Sequence, residues 1–254
     1  MDHQLFLLYA ALIGSGIAAG FLNTLAGGGS MLTLPALMLL GLPADLANGT
    51  NRLSVVATST SGVLGFARGG KLDRAAILPV LIPTIVGSLV GSTVAAVVPP
   101  TLLKYVLLGT MLAMALVMLL RPQALTAPEG SESQLAQRKL VGFLGLFGAG
   151  LYGGFIQAGV GFVLLSVLGG ALRYDLVRAN ALKLICTFVF GVVSLGVFVV
   201  AGQVVWVPAV LLAVGTAIGA QVAVRFALRA RHAVLRWVVF VTVVATCFGA
   251  FFKG

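Results

Sequence analysis

Eight long apolar stretches restrict this chain to a membrane. They cover residues 4–26, 46–66, 75–98, 102–120, 138–158, 176–200, 204–224 and 237–252, and most are close to the ~20 helical residues that cross a bilayer. Two further apolar stretches, 30–41 and 161–171, are too short to cross alone. With 60% hydrophobic and 9% charged residues, the composition excludes a soluble globular protein. We therefore predict an all-α polytopic membrane protein.

The remaining composition argues against several kinds of partner. A formal net charge of +10 could indicate nucleic acid binding in a soluble protein, but the Lys and Arg residues form no dense patch with interleaved aromatics. We expect no nucleic acid partner. Cys186 and Cys247 both lie in apolar stretches and have no metal-ligand spacing, so we expect buried free thiols, no metal and no cofactor. The opening residues MDHQ carry no Lys or Arg, unlike a cleavable signal peptide.

The two halves of the chain resemble each other at a shift of about 131 residues. The segment GFLNTLAGGG at 20–29 corresponds to GLYGGFIQAGVG at 150–161. Other matches are Arg52-Leu53 with Lys183-Leu184, Gly65 with Gly196, Gly70 with Gly202, Leu103-Lys104 with Leu235-Arg236 and, with a short gap, Gly87-x-x-x-Gly91 with Gly215-x-x-x-Gly219. We predict a first transmembrane repeat at 1–120, a polar cytoplasmic linker at 121–137 and a second repeat at 138–254.

Loop charges predict that the repeats are inverted. Arg68, Lys71 and Arg74 follow one helix, whereas the corresponding loop at 201–206 carries no Lys or Arg. If Lys and Arg concentrate in cytoplasmic loops, 12 of them lie inside and Lys104 and Lys253 lie outside, with both termini outside. Inversion requires an odd number of crossings per half. Each half would then begin with a helical hairpin, 4–41 or 138–171, that enters and leaves on one side, followed by three transmembrane helices.

Glycine-rich tips connect the two arms of each predicted hairpin. The first tip is Ala26-Gly27-Gly28-Gly29-Ser30, and the second is Ala158-Gly159-Val160-Gly161. Non-helical backbone at this depth is tolerated where it is buried in protein or lines a wet cavity. The helix start after each tip would offer unpaired N–H groups to an anion. The alternative is that these glycines simply allow tight helix packing, which is also how we interpret the Gly-x-x-x-Gly motifs.

Each half also places a cation beside Asn, about two turns inside an apolar span. The segments are Asn48-Gly-Thr50-Asn51-Arg52 and Arg178-Ala-Asn180-Ala-Leu-Lys183. Intramembrane cations are costly and are candidates for function, although Arg52 and Lys183 could instead snorkel to the interface. No carboxylate is placed to neutralise them, since Asp45 and Asp175 stand where helix caps are expected. Two unpaired cations and two positive helix ends favour an anion.

These motifs resemble the TauE/SafE sulfite exporter family. The likeness rests on GFLNTLAGGGS at 20–30, LTLP at 32–35, NGTN at 48–51 and GFIQAGVG at 154–161, and it covers almost the whole chain. The resemblance implies a bacterial inner-membrane permease for sulfite, sulfonates or related small sulfur-containing anions, commonly in the export direction. Val160 replaces a third glycine, and the second helix start lacks Gly-Thr-Asn, so the halves need not contribute equally.

The sequence hypothesis is therefore a secondary transporter that holds a small anion between the tips and alternates access between its repeats. Without a P-loop, an ion gradient, the membrane potential or downhill efflux would supply the energy.

A small-anion channel shares every residue argued above. A membrane-embedded enzyme would need an acid/base pair or a Ser/His dyad in the spans, which we do not find. A homodimer is compatible with the sequence. The candidate substrate-binding residues are Asn23, Gly27, Gly28, Gly29, Ser30, Asn48, Thr50, Asn51, Arg52, Gln157, Gly159, Gly161, Asn180 and Lys183.

Overall fold

The computed structural model of the protein describes residues 3–25, 27–69, 73–120, 131, 133–135 and 137–229. Within these ranges the fold is all-helical. The helices are α1 (His3–Leu25), α2 (Ser30–Leu39), α3 (Ala44–Arg68), α4 (Arg74–Val97), α5 (Pro100–Leu120), α6 (Lys139–Phe155), α7 (Val160–Leu165), α8 (Leu176–Val200) and α9 (Trp206–Arg229), and a π-helical segment, Ser166–Ala171, continues α7. The predicted helix at 237–252 lies outside the described residues, as does Cys247.

Where the chain is described, the helices follow the order expected from the sequence, whereas the predicted repeats and their inversion stay predictions. By length and composition, three of the described helices could each cross a membrane: Ala75–Val97, Leu176–Val200 and Trp206–Leu228. Helix α3 is as long as α8 but carries more polar side chains. The ten residues of α2 extend about 15 Å, half the thickness of a hydrocarbon core. This length fits the predicted hairpins, while the sidedness of the loops stays a prediction.

The helix starts show which predicted caps form. Asp175 precedes α8 and accepts hydrogen bonds from the N–H groups of Val177 and Arg178, both at 3.0 Å, so this predicted cap is confirmed. The prediction for Asp45 is wrong. Pro43 precedes α3, which leaves Asp45 inside the first turn without a capping hydrogen bond. Pro favours the extended backbone that a helix entry needs, and Asp45 then interacts only with the positive helix end.

Helices from opposite halves pack against each other in corresponding pairs. Helix α1 packs along α9, and α6 packs along α4. Glycines allow the backbones to approach closely in both pairs. A Cβ at Gly87 or Gly91 would overlap backbone atoms of α6, and one at Gly215 or Gly219 would overlap those of α1. The predicted role of these Gly-x-x-x-Gly motifs in close packing is thereby confirmed.

Helices α3 and α8 contact each other between these pairs and form the centre of the bundle. Along α3 the buried side chains are unusually polar, including Asn48, Asn51 and Arg52. Along α8 the buried face carries Asn180 and Lys183. The central helices therefore bring the polar side chains of both halves to the same part of the molecule, beside the hairpin tips.

Candidate functional site

The two hairpin tips meet backbone to backbone. The α-carbons of Gly27 and Gly161 are so close that a Cβ at either residue would overlap the other. Gly27 has φ of 96°, and in the second tip Gln157 and Gly159 have φ of 69° and 75°. Glycine adopts such left-handed backbone at little cost, whereas Gln157 is held there under strain. This arrangement is consistent with the prediction that the two tips lie together.

Arg52 reaches from the first half to the end of helix α6 in the second half. Its guanidinium donates to the carbonyl oxygens of Gly153, Gly154 (2.8 Å) and Phe155 (3.2 Å). It also donates to Asn48 Oδ1 at 3.0 Å. The guanidinium carbon lies 5.1 Å from the centre of the Phe198 ring, within cation–π range. Arg52 thereby satisfies carbonyl groups that a helix C-terminus leaves unpaired.

Lys183 makes the corresponding contacts in the opposite direction. Its Nζ donates to the carbonyl oxygens of Asn23 (2.9 Å) and Thr24 (3.0 Å) at the end of helix α1. It donates a third bond, of 2.7 Å, to Asn180 Oδ1. Asn48 and Asn180 thus play matching parts, each holding the cation of its own helix. Each half supplies a buried cation that holds the first hairpin arm of the other half.

These contacts exclude one alternative and correct one prediction. Arg52 and Lys183 are 0% and 1% exposed, so neither side chain snorkels to an interface. They are not unpaired either, because both donate to carbonyl oxygens at helix ends. Sequence reasoning could not find these partners, since backbone carbonyls carry no residue signature and both lie across the repeat boundary. The negative end of a helix dipole is a favourable place for a cation.

The site nevertheless keeps an excess of positive charge. No Asp or Glu is buried within the part of the chain that the structure describes. Each helix C-terminus carries about half a negative charge, so α1 and α6 offset about one of the two cationic charges. The start of α2 adds a further positive end beside the first tip. Electrostatically, the layer around the tips favours an anion over a cation.

Asn51 attaches the first tip to helix α3. Its Nδ2 donates to Ser30 Oγ at 3.2 Å, and its Oδ1 accepts from Thr33 Oγ1 at 2.6 Å and from Ser54 Oγ at 3.0 Å. Gly29 lies so close to α1 that a Cβ there would overlap the Ala19 carbonyl, and Gly28 lies against the Phe162 ring. The predicted residues Gly28, Gly29, Ser30 and Asn51 are thus assembled into one packed tip.

Thr50 is the predicted site residue that the structure places elsewhere. Its Oγ1 accepts a 2.9 Å hydrogen bond from the backbone N–H of Val205, in the segment that leads into α9. Neighbouring Gly49 packs directly against the Gln203 carbonyl. Thr50 therefore fixes a loop rather than joining the contacts of the tips. Its sequence neighbour Asn51 faces the tip because successive helical residues point in different directions.

Three buried polar atoms near the tips have no hydrogen-bond partner. They are Thr24 Oγ1, Arg52 Nε and Gln157 Oε1, and their residues are at most 2% exposed. Thr24 and Gln157 belong to the first and second hairpins, and Arg52 bridges to the second. Buried polar groups are nearly always satisfied, so each of these unpartnered atoms points to a water molecule or a polar ligand beside it.

Comparison with known proteins identifies the family of the chain. A family model described as "Sulfite exporter TauE/SafE" matches residues 12–249. The chain belongs to the TauE/SafE family. It is 31% identical to "Probable membrane transporter protein ORF9" of Sinorhizobium sp, over 90% of this chain and 86% of that protein. No solved structure matches the chain significantly.

Two further relatives cover the chain to a similar extent. A "Probable membrane transporter protein" of Haemophilus influenzae is 27% identical over 90% of this chain and 89% of its own length. "Probable membrane transporter protein YfcA" of Escherichia coli K12 is 28% identical over 91% and 84%. This TauE/SafE chain is thus a membrane transporter by family, and these names specify no substrate.

Sequence reasoning missed three side chains of this TauE/SafE site. Thr24 contributes both a carbonyl to Lys183 and an unpartnered hydroxyl. Thr33 fixes Asn51, and Phe198 lies beside Arg52. Thr24 could have been found from its place next to Asn23 at the end of a hairpin arm. Phe198 is 15 residues beyond Lys183 on an apolar helix, where sequence alone offers no signal.

Proposed function

We propose that this chain is a secondary transporter that exports sulfite, an organosulfonate or a related small sulfur-containing anion across the bacterial inner membrane. The observation that supports this proposal most strongly is the buried pair Arg52 and Lys183, since no carboxylate is buried among the described residues. The family description names sulfite export, which is the direction and substrate class proposed here. An anion leaving a negative cytoplasm gains about 2.3 kcal/mol per charge per 100 mV.

The anion would lie beside the tips rather than directly between Gly27 and Gly161, since those two residues already touch. The unpartnered Arg52 Nε–H and Thr24 hydroxyl are donors that an oxyanion could use without breaking the contacts of either cation. The start of α2 contributes its positive dipole end rather than free donors, because the N–H groups of Met31, Leu32 and Thr33 already donate to the carbonyl oxygens of Gly28 and Gly29. The sequence expectation of unpaired N–H groups at this helix start is thereby corrected. The Arg52 Nε–H and the Thr24 hydroxyl would replace part of the hydration shell of a small anion.

Alternating access follows from how the halves are joined. Because the tips contact each other, passage between them requires one half to move relative to the other. The corresponding pairs α1 with α9 and α4 with α6 support a repeat. Its inversion is inferred from the loop charges, and inverted repeats move in this way in other transporters. We place the linker 121–137 in the cytoplasm and both termini outside, from the loop charges.

Uptake into proteoliposomes tests the proposal. Radiolabelled sulfite would be offered to vesicles containing wild type or Arg52→Ala, with sulfate, thiosulfate, taurine and sulfoacetate as competitors. Lys104→Ala, which removes an exposed cation, is the matched control. We expect saturable uptake that discriminates among the anions, disappears in Arg52→Ala and persists in Lys104→Ala.

Two outcomes would contradict this function. Uptake that does not saturate and is not accelerated by unlabelled anion inside the vesicles would indicate a channel. Absence of uptake for every sulfur anion, with folded protein, would refute the substrate class.

A further inference from the structure

Equivalent positions in the two halves carry different cations. Arg52 and Lys183 each hold the end of a hairpin arm from the other half, and each is buried. Arg keeps its proton under all conditions a protein meets, whereas a buried Lys can release its proton. The two halves therefore differ in one chemical respect: only the Lys183 contact includes a proton that can leave.

The contacts of Lys183 require the protonated form. Three acceptors surround its Nζ: the carbonyl oxygens of Asn23 and Thr24 and the side-chain oxygen of Asn180, at 2.7 to 3.0 Å. An ammonium group has three N–H donors and no acceptor, so every proton is used. A neutral amine has two N–H donors and a lone pair. On deprotonation, at least one of the three bonds is lost, and a lone pair then faces an oxygen.

The surroundings offer few other titratable groups. On α3, the buried charged group is Arg52, while Asp45 and Arg68 stand near its ends. On α6, the Tyr152 hydroxyl donates to the Ala158 carbonyl, and Lys139 begins the helix. On α8 itself, the Cys186 thiol is buried one turn from Lys183. No titratable side chain lies in residues 10–25, 75–97 or 160–171, which complete the packing around α8.

We propose that Lys183 couples anion transport to a proton. This inference rests on the function proposed above. In the loaded protein the lysine is an ammonium ion that holds α1, and the anion offsets its charge. After the anion leaves, Nζ releases one proton to the same side and the neutral amine lets the hairpin arm separate. Nζ takes up a proton again with the next anion, so each turnover moves one proton together with one anion.

Linkage makes the coupling reciprocal. If a bound anion favours the charged form of Lys183, protonation of Lys183 must favour anion binding by the same factor. Arg52, whose charge is fixed, keeps the other hairpin arm attached throughout. Transport of a monovalent anion would then be electroneutral. With a doubly charged anion such as sulfite, one net negative charge still moves in each turnover, so the membrane potential favours its export as proposed above, whereas an acidic outside medium favours uptake.

The experiment compares net uptake with exchange in proteoliposomes. Thiosulfate and sulfoacetate serve as probes because their charges are constant across mildly acidic to mildly alkaline pH. Wild type, Lys183→Arg and the exposed control Lys104→Arg are given an acidic outside medium, and a dye inside the vesicles reports pH. Valinomycin with potassium on both sides clamps the membrane potential, because one proton entering with a divalent anion carries one net negative charge. Exchange is measured separately, with the same anion on both sides and no pH gradient.

We expect the acidic medium to drive anion accumulation in wild type and Lys104→Arg, with acidification of the lumen. In Lys183→Arg, gradient-driven accumulation should fall much further than exchange, because Arg keeps its proton when the anion leaves and the empty carrier stays charged. Three results would overturn the inference: anion uptake by wild type without proton entry, gradient-driven accumulation by Lys183→Arg, or a loss of exchange in that variant as large as its loss of accumulation. Failure of folded wild type to take up these two anions and sulfite would refute the proposed function itself and this inference with it.

Discussion

The two cation contacts show how one architectural role can be filled by different chemistry. Arg52 donates to three successive carbonyl groups at the end of α6 and lies against Phe198. Lys183 donates to two carbonyl groups at the end of α1 and to Asn180. The planar guanidinium can cover a whole helix end, while the ammonium serves as a compact point charge. The first half therefore contributes the more extensive contact, and the second contributes the one that can titrate.

Removing either cation should produce the largest effects, and they should be unequal. Arg52→Met would remove a donor from three carbonyl oxygens and end the contact with the Phe198 ring. The Phe155 oxygen keeps its bond from the Asn48 amide, so the oxygens of Gly153 and Gly154 are left unsatisfied, at about 1–3 kcal/mol each. Lys183→Met removes a donor from two carbonyl oxygens at a helix end, one fewer than Arg52→Met. We expect anion uptake to fall at least tenfold in both variants and thermal stability in detergent to fall further for Arg52→Met. Equal stability losses would contradict the difference between the two contacts.

The tip glycines offer a second comparison, between residues in contact and residues in open space. Ala at Gly27 or Gly161 would overlap the opposite tip, and Gly27 also has left-handed backbone. Overpacking costs about 1–3 kcal/mol. We expect both substitutions to lower stability and uptake, with Gly27→Ala the more severe because of its added backbone strain.

Gly14 and Gly148 provide the controls for the tip variants. They lie on the same hairpin arms, and a Cβ at either would meet nothing within 4 Å. Gly14→Ala and Gly148→Ala should leave uptake and thermal unfolding at wild-type values. Tip variants that behave like these controls would show that the tips are not in contact.

The outer helix pairs, α4 with α6 and α1 with α9, should lose similar stability when a contact glycine in either pair is replaced, if the halves are equivalent there. A Cβ at Gly91 would overlap the Leu151 carbonyl of α6, and a Cβ at Gly219 would overlap the Ile17 carbonyl of α1. Gly91→Ala and Gly219→Ala should each lower stability by about 1–3 kcal/mol. Gly109→Ala on α5, where nothing lies within 4 Å, is the control in the same unfolding measurement. A stability loss in only one of the two helix pairs would contradict the equivalence of the halves.

The sequence predicted the helices and the glycine tips well because their signals are local. Apolar stretches, Gly clusters and the Asp175 cap are each read within a few residues. The partners of Arg52 and Lys183 lie about 100 and 160 residues away in the chain, and they are backbone atoms. Thr50 and Asn51 look equivalent in sequence, yet helix geometry directs one to the 203–205 loop and the other to the tip. Such choices depend on tertiary packing.

Thr24 and Thr50 form a matched pair for testing where the anion lies. Both side chains are 0% exposed, but the Thr24 hydroxyl is unpartnered and Thr50 accepts from Val205. The most direct measurement is equilibrium dialysis of purified wild type, Thr24→Val and Thr50→Val against the radiolabelled anion that wild type transports best. We predict weaker binding by Thr24→Val, and wild-type binding by Thr50→Val with a stability loss of about 1 kcal/mol. Wild-type affinity in Thr24→Val, or equal weakening in both variants, would contradict an anion site at the hairpin tips.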